Sequence, residues 1–190
     1  MLATVVLLGL VLIAAATDLR RHKIYNWTTY PGMLFALGLN ALGELLERAG
    51  ASERWQQWLG SIGFRDSVIG FLVCGGLMLV CFVLLKVGGG DVKLMAMLGA
   101  FLGWQLGISV MLWTFVLGSA AALIVLVWRV GPLRLAAQVL RHLLWMLRLG
   151  QWVPLTAAER AQLQPPLFLA PSALAAVVIV RFFNSFAGVT

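Results

Sequence analysis

Two aspartates, Asp18 and Asp91, separate themselves from the other ionisable residues by where they fall. The chain has seven acids in 190 residues. Glu44, Glu47, Glu53 and Asp66 gather about one loop and Glu159 lies in a polar stretch, so a solvated face accounts for them. Asp18 and Asp91 instead sit where apolar runs end. An ionisable group at that depth is costly and is by default a candidate for function. Two carboxylates at one level could do hydrolytic chemistry. Like charges a few ångströms apart cannot both ionise, so they share a proton. One then activates water while the other protonates a carbonyl oxygen or a leaving amine. Spacing alone also allows plainer roles. Asp18 could be a helix-end acid beside Arg20, Arg21 and Lys23, and Asp91 could favour the positive end of a helix beginning at Val92.

The elements that must position these residues are set by composition. Hydrophobic residues make up 62% of the chain and charged residues 11%, against about 45–50% and ~25% in an average soluble domain. Such a chain cannot cover its surface with polar groups. A soluble globular enzyme is excluded, and so is disorder, which needs the reverse composition. The length fits one domain, 1–190. Residues 1–17 are uncharged, and the basic residues follow the run rather than precede it, which reads as an anchor and not as a secretory leader. Further apolar runs cover about 26–46, 68–87 and 167–187. Residues 94–128 are also uncharged. That is too long for one crossing of a ~30 Å core and fits two, turning at Trp104-Gln105-Leu106-Gly107. The expected fold is therefore an all-α integral membrane protein with about six transmembrane helices. One or two interfacial helices are expected besides: one over 129–150, where Arg134, Arg141 and Arg148 repeat every seven residues, and one in the 47–66 loop. Cys74 and Cys81 lie in one run, ~10.5 Å apart along a helix, too far for a disulfide. With two histidines there is no zinc-site spacing, and neither metal nor cofactor is expected.

The net charge of +7 reports topology before nucleic acid, because the basic residues are scattered between apolar runs. With the N-terminus outside, Arg20, Arg21, Lys23, Lys86, Lys93, Arg129, Arg134, Arg141, Arg148 and Arg160 are cytoplasmic, ten of fourteen. That orientation puts both termini outside and both Asp18 and Asp91 at the cytoplasmic face.

Three stretches carry a family resemblance. Gly88-Gly89-Gly90-Asp91-Val92-Lys93-Leu94 contains Gly-x-Gly-Asp followed by x-Lys-Leu, with Gly99 and Gly103 beyond. Asp18-Leu19-Arg20-Arg21-His22-Lys23-Ile24-Tyr25-Asn26 places an aspartate ahead of Ile-x-Asn, with Tyr25 where the family has proline. Phe168-Leu169-Ala170-Pro171 opens the last run. In these the chain resembles the GxGD-type prepilin peptidases of type IV and Tad pilus systems and the related archaeal preflagellin peptidases. The resemblance implies an inner-membrane aspartyl endopeptidase with Asp18 and Asp91 as catalytic dyad. Its substrate would be a prepilin or pseudopilin, whose short basic leader is cut at the cytoplasmic face ahead of an apolar helix. Lipid is the other expected partner. The paired-Cys cytoplasmic domain of bifunctional members is not expected, which puts N-methylation in doubt. Gly88 and Gly90 read as permitting positive φ and close approach of an extended substrate. An ordinary loop between spans would also account for that stretch. Lys93 could bias the dyad or meet a lipid phosphate. Gly99, Gly103 and Gly107 read as a ladder for close helix packing. A presenilin-like protease would want its first Asp within a span and a Pro-Ala-Leu order, where this chain has Leu169-Ala170-Pro171. A proton-coupled carrier and a non-catalytic pilus assembly protein are the non-enzymatic alternatives, the carrier without the internal repeat or paired helix breaks expected of it.

Overall fold

The computed structural model describes residues 1–21, 24–50, 58–85, 88–131 and 169–187, together with 137, 140 and 144. Five helices account for most of these: α1 (Leu2–Arg21), α2 (Asn26–Arg48), α3 (Phe64–Leu85), α4 (Gly89–Val130) and α5 (Leu169–Ala187). α1, α3 and α4 are each long and apolar enough to cross a membrane. Much of the outer surface is apolar, with Leu34, Leu72, Val83, Leu84 and Leu112 exposed. Lipid is the solvent that such a surface suits, so the chain is an all-helical membrane protein. The interfacial helix expected over 129–150 and residues 51–57 of the 47–66 loop fall largely outside the described residues, as do His22, Lys23 and Lys86.

Among the described residues five helices stand where six spans were expected, and the difference lies in α4. At 42 residues it would measure ~63 Å if straight, about twice the hydrocarbon thickness. It is broken at Gly103, whose φ of 77° and ψ of 177° are not helical. A side-chain carbon added at Gly107 would lie 3.2 Å from Gly99 Cα. In an unbroken helix those residues would be ~12 Å apart. The chain therefore doubles back into two arms, 89–102 and 104–130, and the reversal falls one residue ahead of the expected turn. The first arm is the centre of its unit: every residue from Leu94 to Leu102 is buried, and Leu94, Met95, Met97, Leu98 and Phe101 fill the core.

Buried polar groups pin the reversal. Carbonyls at a helix end lose their partners within the helix. Ala100 O, near the end of the first arm, accepts from Ser67 Oγ at 2.6 Å and from Asn40 Nδ2 at 3.4 Å. Asn40 Nδ2 also donates to Ala36 O at 2.9 Å, and its Oδ1 accepts from Ile62 N at 2.9 Å. One asparagine thus joins α2, the start of the α3 segment and the first arm of α4.

α1 shows why Asp18 faces inward. Its buried residues are Ala3, Leu7, Val11, Ala14, Ala15 and Asp18, the three-and-four spacing of one helix stripe. The stripe packs on α2 and α5, and α5 answers with Ala170, Ala173, Ala176, Val177 and Val180. Arg20 and Arg21 occupy the last turn of α1, where cations favour the negative end of the dipole. Residues 1–117 and 168–190 form one compact unit and 118–167 a second. In the second, α4 ends at Gly131, whose φ of 84° and hydrogen bond from its N–H to Val127 O at 3.0 Å make a left-handed helix cap.

Candidate active site

Four helix ends meet at one end of the first unit. Asp18 lies in the last turn of α1 and is only 8% exposed. Its Oδ2 accepts from the backbone N–H of Ala170, at 3.3 Å, in the first turn of α5. A helix start leaves N–H groups unpaired and carries partial positive charge, so a carboxylate is well placed there. Pro171 follows at no cost in hydrogen bonds, since it sits in that same first turn.

Asp91 is the third residue of α4 and is half-buried. Its N–H donates to Gly88 O at 3.0 Å, and its carboxylate folds back beside Gly88. A side-chain carbon at 88 would lie 3.0 Å from Asp91 Oδ2. The turn rests on the α1–α2 connection, because a side-chain carbon at Gly90 would lie 3.0 Å from Ile24 Cβ. The charges of Asp18 and Asp91 are near enough to act on one another through space. α1 therefore presents one carboxylate and α4 the other, 73 positions later in the chain (91 less 18).

The connection is itself tied down. Arg21 Nη1 donates to Tyr25 Oη at 2.9 Å, Thr28 Oγ1 to Tyr25 O at 2.7 Å, and Lys93 Nζ to Asn26 Oδ1 at 2.8 Å. Lys93 Nζ also lies 4.9 Å over the centre of the Tyr30 ring.

A sequence model of the type IV leader peptidase family matches residues 5–123. The chain belongs to the type IV leader peptidase family. No curated protein and no solved structure matches it. The match runs from α1 through most of α4 and so takes in Asp18 and the whole Gly88–Lys93 turn. Membership makes the protein a membrane peptidase with a peptide as substrate. α5, which supplies the N–H group to Asp18, lies beyond the matched residues.

In this leader peptidase the positive φ expected of Gly88 and Gly90 is not found. Gly90 is already helical, and neither Gly88 nor Gly90 has a positive φ. What they provide is room. Gly88 leaves space for the Asp91 carboxylate and Gly90 lets α4 lie against Ile24. The expected packing role of Gly99 and Gly107 is seen directly: Gly99 meets the backbone of Gly70, and Gly107 meets Cys74 and Gly99. Ile24 and Asn26 stand in the Ile-x-Asn stretch and Ala170 in Leu169-Ala170-Pro171, but those motifs do not reveal that they face Gly90, Lys93 and Asp18. Tyr30 was not singled out, and nothing local marked it.

Proposed function

We propose that this leader peptidase is an aspartyl endopeptidase that removes the short basic leader of type IV or Tad-type prepilins. Asp18 and Asp91 are its catalytic pair. One observation supports the reading: two carboxylates from distant parts of the chain lie on helix ends of one unit, near enough to act on one another through space, within the stretch that matches the family. One proton is held between them. The ionised carboxylate takes a proton from water as its oxygen attacks the scissile carbonyl, while the protonated carboxylate gives its proton to the carbonyl oxygen. The tetrahedral diol then collapses: its hydroxyl proton returns to the pair, the C–N bond breaks, and the leaving nitrogen takes up the other proton. The Ala170 N–H at 3.3 Å supports Asp18 as the partner that carries charge.

In this reading the protein lies in the inner membrane, crosses it six times and has its pair at the cytoplasmic face. α4 supplies two crossings through its reversal. The distribution of basic residues supports cytoplasmic placement of that face. Reporter fusions after Arg129 should read cytoplasmic and after Thr190 external. A cytoplasmic signal after Thr190 would require a further crossing between residues 129 and 168.

The direct test uses purified full-length protein in detergent and a prepilin precursor with a basic leader, a glycine at the cut and an apolar helix. Cleavage at the leader boundary is the expected result. An intact precursor alongside cleavage within an unrelated apolar segment would favour an intramembrane protease of the presenilin kind instead.

A further inference from the structure

We infer that Lys93 is a positioning residue: through Asn26 and Tyr30 it fixes the first turn of α4, and with it Asp91, to the chain segment that leaves Asp18. The inference rests on the proposed pairing of Asp18 with Asp91. Lys93 follows Asp91 by two residues in the same helix, about 200° around its axis at ~100° per residue. The two side chains therefore leave α4 in opposite directions. The ammonium is engaged elsewhere: Nζ donates to Asn26 Oδ1 at 2.8 Å and stands over the Tyr30 ring at 4.9 Å. Both partners are on α2, one at its first residue and the other one turn further on. An amide oxygen and an aromatic face hold a cation in place without neutralising it.

The geometry closes a ring. Asn26 is joined covalently to Asp18 through eight residues of chain (26 less 18), and Lys93 is joined to Asp91 through two. The Lys93–Asn26 bond completes the circuit. A second described contact across this gap, Gly90 against Ile24, is van der Waals packing on the Ile24 side chain and its backbone oxygen, which sets a distance and no direction. A hydrogen bond has one. Misplacing a catalytic group by ~1 Å can cost about 10²-fold in rate, so the tie acts on turnover and not on substrate affinity.

The test compares Lys93→Met, which keeps the stem and loses the charge, with Asn26→Ala, Lys93→Arg and the Lys93→Met/Asn26→Ala double variant. With the prepilin precursor, Lys93→Met and Asn26→Ala should each lower kcat at least tenfold with KM within about twofold. The double variant should be no worse than Lys93→Met alone, because that change already breaks the bond that Asn26→Ala removes. Lys93→Arg, whose guanidinium can still reach an amide and stack on Tyr30, should recover most of the rate. A second measurement needs no substrate. In a background with Cys74→Ala and Cys81→Ala, an Ile24→Cys/Gly90→Cys pair should oxidise readily, since those Cβ positions lie 3.0 Å apart and reach disulfide spacing by parting about 0.5 Å. Adding Lys93→Met should cut the crosslinking yield severalfold. Wild-type kcat in Lys93→Met, additive losses in the double variant, a rise confined to KM, or an unchanged crosslinking yield would each overturn the inference. Failure of the wild-type protein to cut the precursor would defeat the proposed function alone, and the crosslinking result would still decide the role of Lys93.

Discussion

Asp18→Asn and Asp91→Asn should each reduce leader cleavage by about 10²–10⁴-fold while the protein still inserts and folds. Asparagine keeps the shape of the side chain and loses the ability to exchange a proton. At position 18 the amide oxygen can still accept from the Ala170 N–H, so the junction of α1 and α5 survives. At position 91 the N–H bond to Gly88 O is a backbone contact and is untouched. The loss should therefore appear in kcat, with the melting midpoint in detergent close to that of the unmodified protein. In the proposed mechanism the two carboxylates act as one unit, so Asp18→Asn/Asp91→Asn together should be scarcely worse than either alone. Asp66→Asn serves as the comparison, since Asp66 is exposed in the first turn of α3, and its rate should stay within about twofold. Substantial cleavage by either of the first two variants would remove the pair from the mechanism.

The legibility of this site in the sequence follows the range of the interactions. Helix positions are written locally, in runs of apolar residues and in the charges that stop them. α2 was expected from about residue 26 and begins at Asn26; the run expected to end at residue 187 ends in α5 at Ala187. The reversal of α4 was expected at Trp104 to Gly107 and falls at Gly103, because a glycine can take a backbone conformation that the polar Gln105 only suggests by its water-seeking side chain. Asp18 and Asp91 were legible as costly acids at apolar edges. Their neighbours were not. Nothing near residue 26 announces a lysine at 93, and nothing near residue 18 announces the N–H of Ala170, because such pairings exist only once helices have packed. The positive φ expected of Gly88 and Gly90 failed for a related reason. A glycine can serve either backbone freedom or empty space, and the choice depends on what stands opposite, here Ile24 and the Asp91 carboxylate.

That same distinction predicts opposite outcomes for one substitution at different glycines. Gly9, Gly38 and Gly76 are helical residues with open space where a side chain would begin. Alanine there should leave the melting midpoint unchanged or raise it, since glycine within a helix costs roughly 0.5–1 kcal/mol relative to alanine. Gly70→Ala and Gly99→Ala should do the reverse. An added carbon at either position runs into the backbone of the other, and backbone has no rotamer by which to yield. α3 and the first arm of α4 must then separate, and overpacking of this kind costs about 1–3 kcal/mol or more. Each change opens the same gap, so the double variant should cost less than the sum of the two. Gly103→Ala acts through conformation instead. Its would-be carbon meets the tip of Ile62 at 3.3 Å, which can move, and lies in ordinary contact with Asp66 O at 3.9 Å, but a φ of 77° with a ψ of 177° belongs to a region held almost entirely by glycine and strains alanine by roughly 1–3 kcal/mol. Gly99 stands ~12 Å along the same arm from Asp91, so Gly99→Ala should also lower cleavage, in step with the loss of folded protein. Thermal unfolding of the six single variants and the double variant in one detergent measures the whole series. Equal destabilisation at Gly38 and Gly99 would mean that these glycines serve flexibility and not contact, and the close approach of α3 to α4 would have to be abandoned as the reason for them.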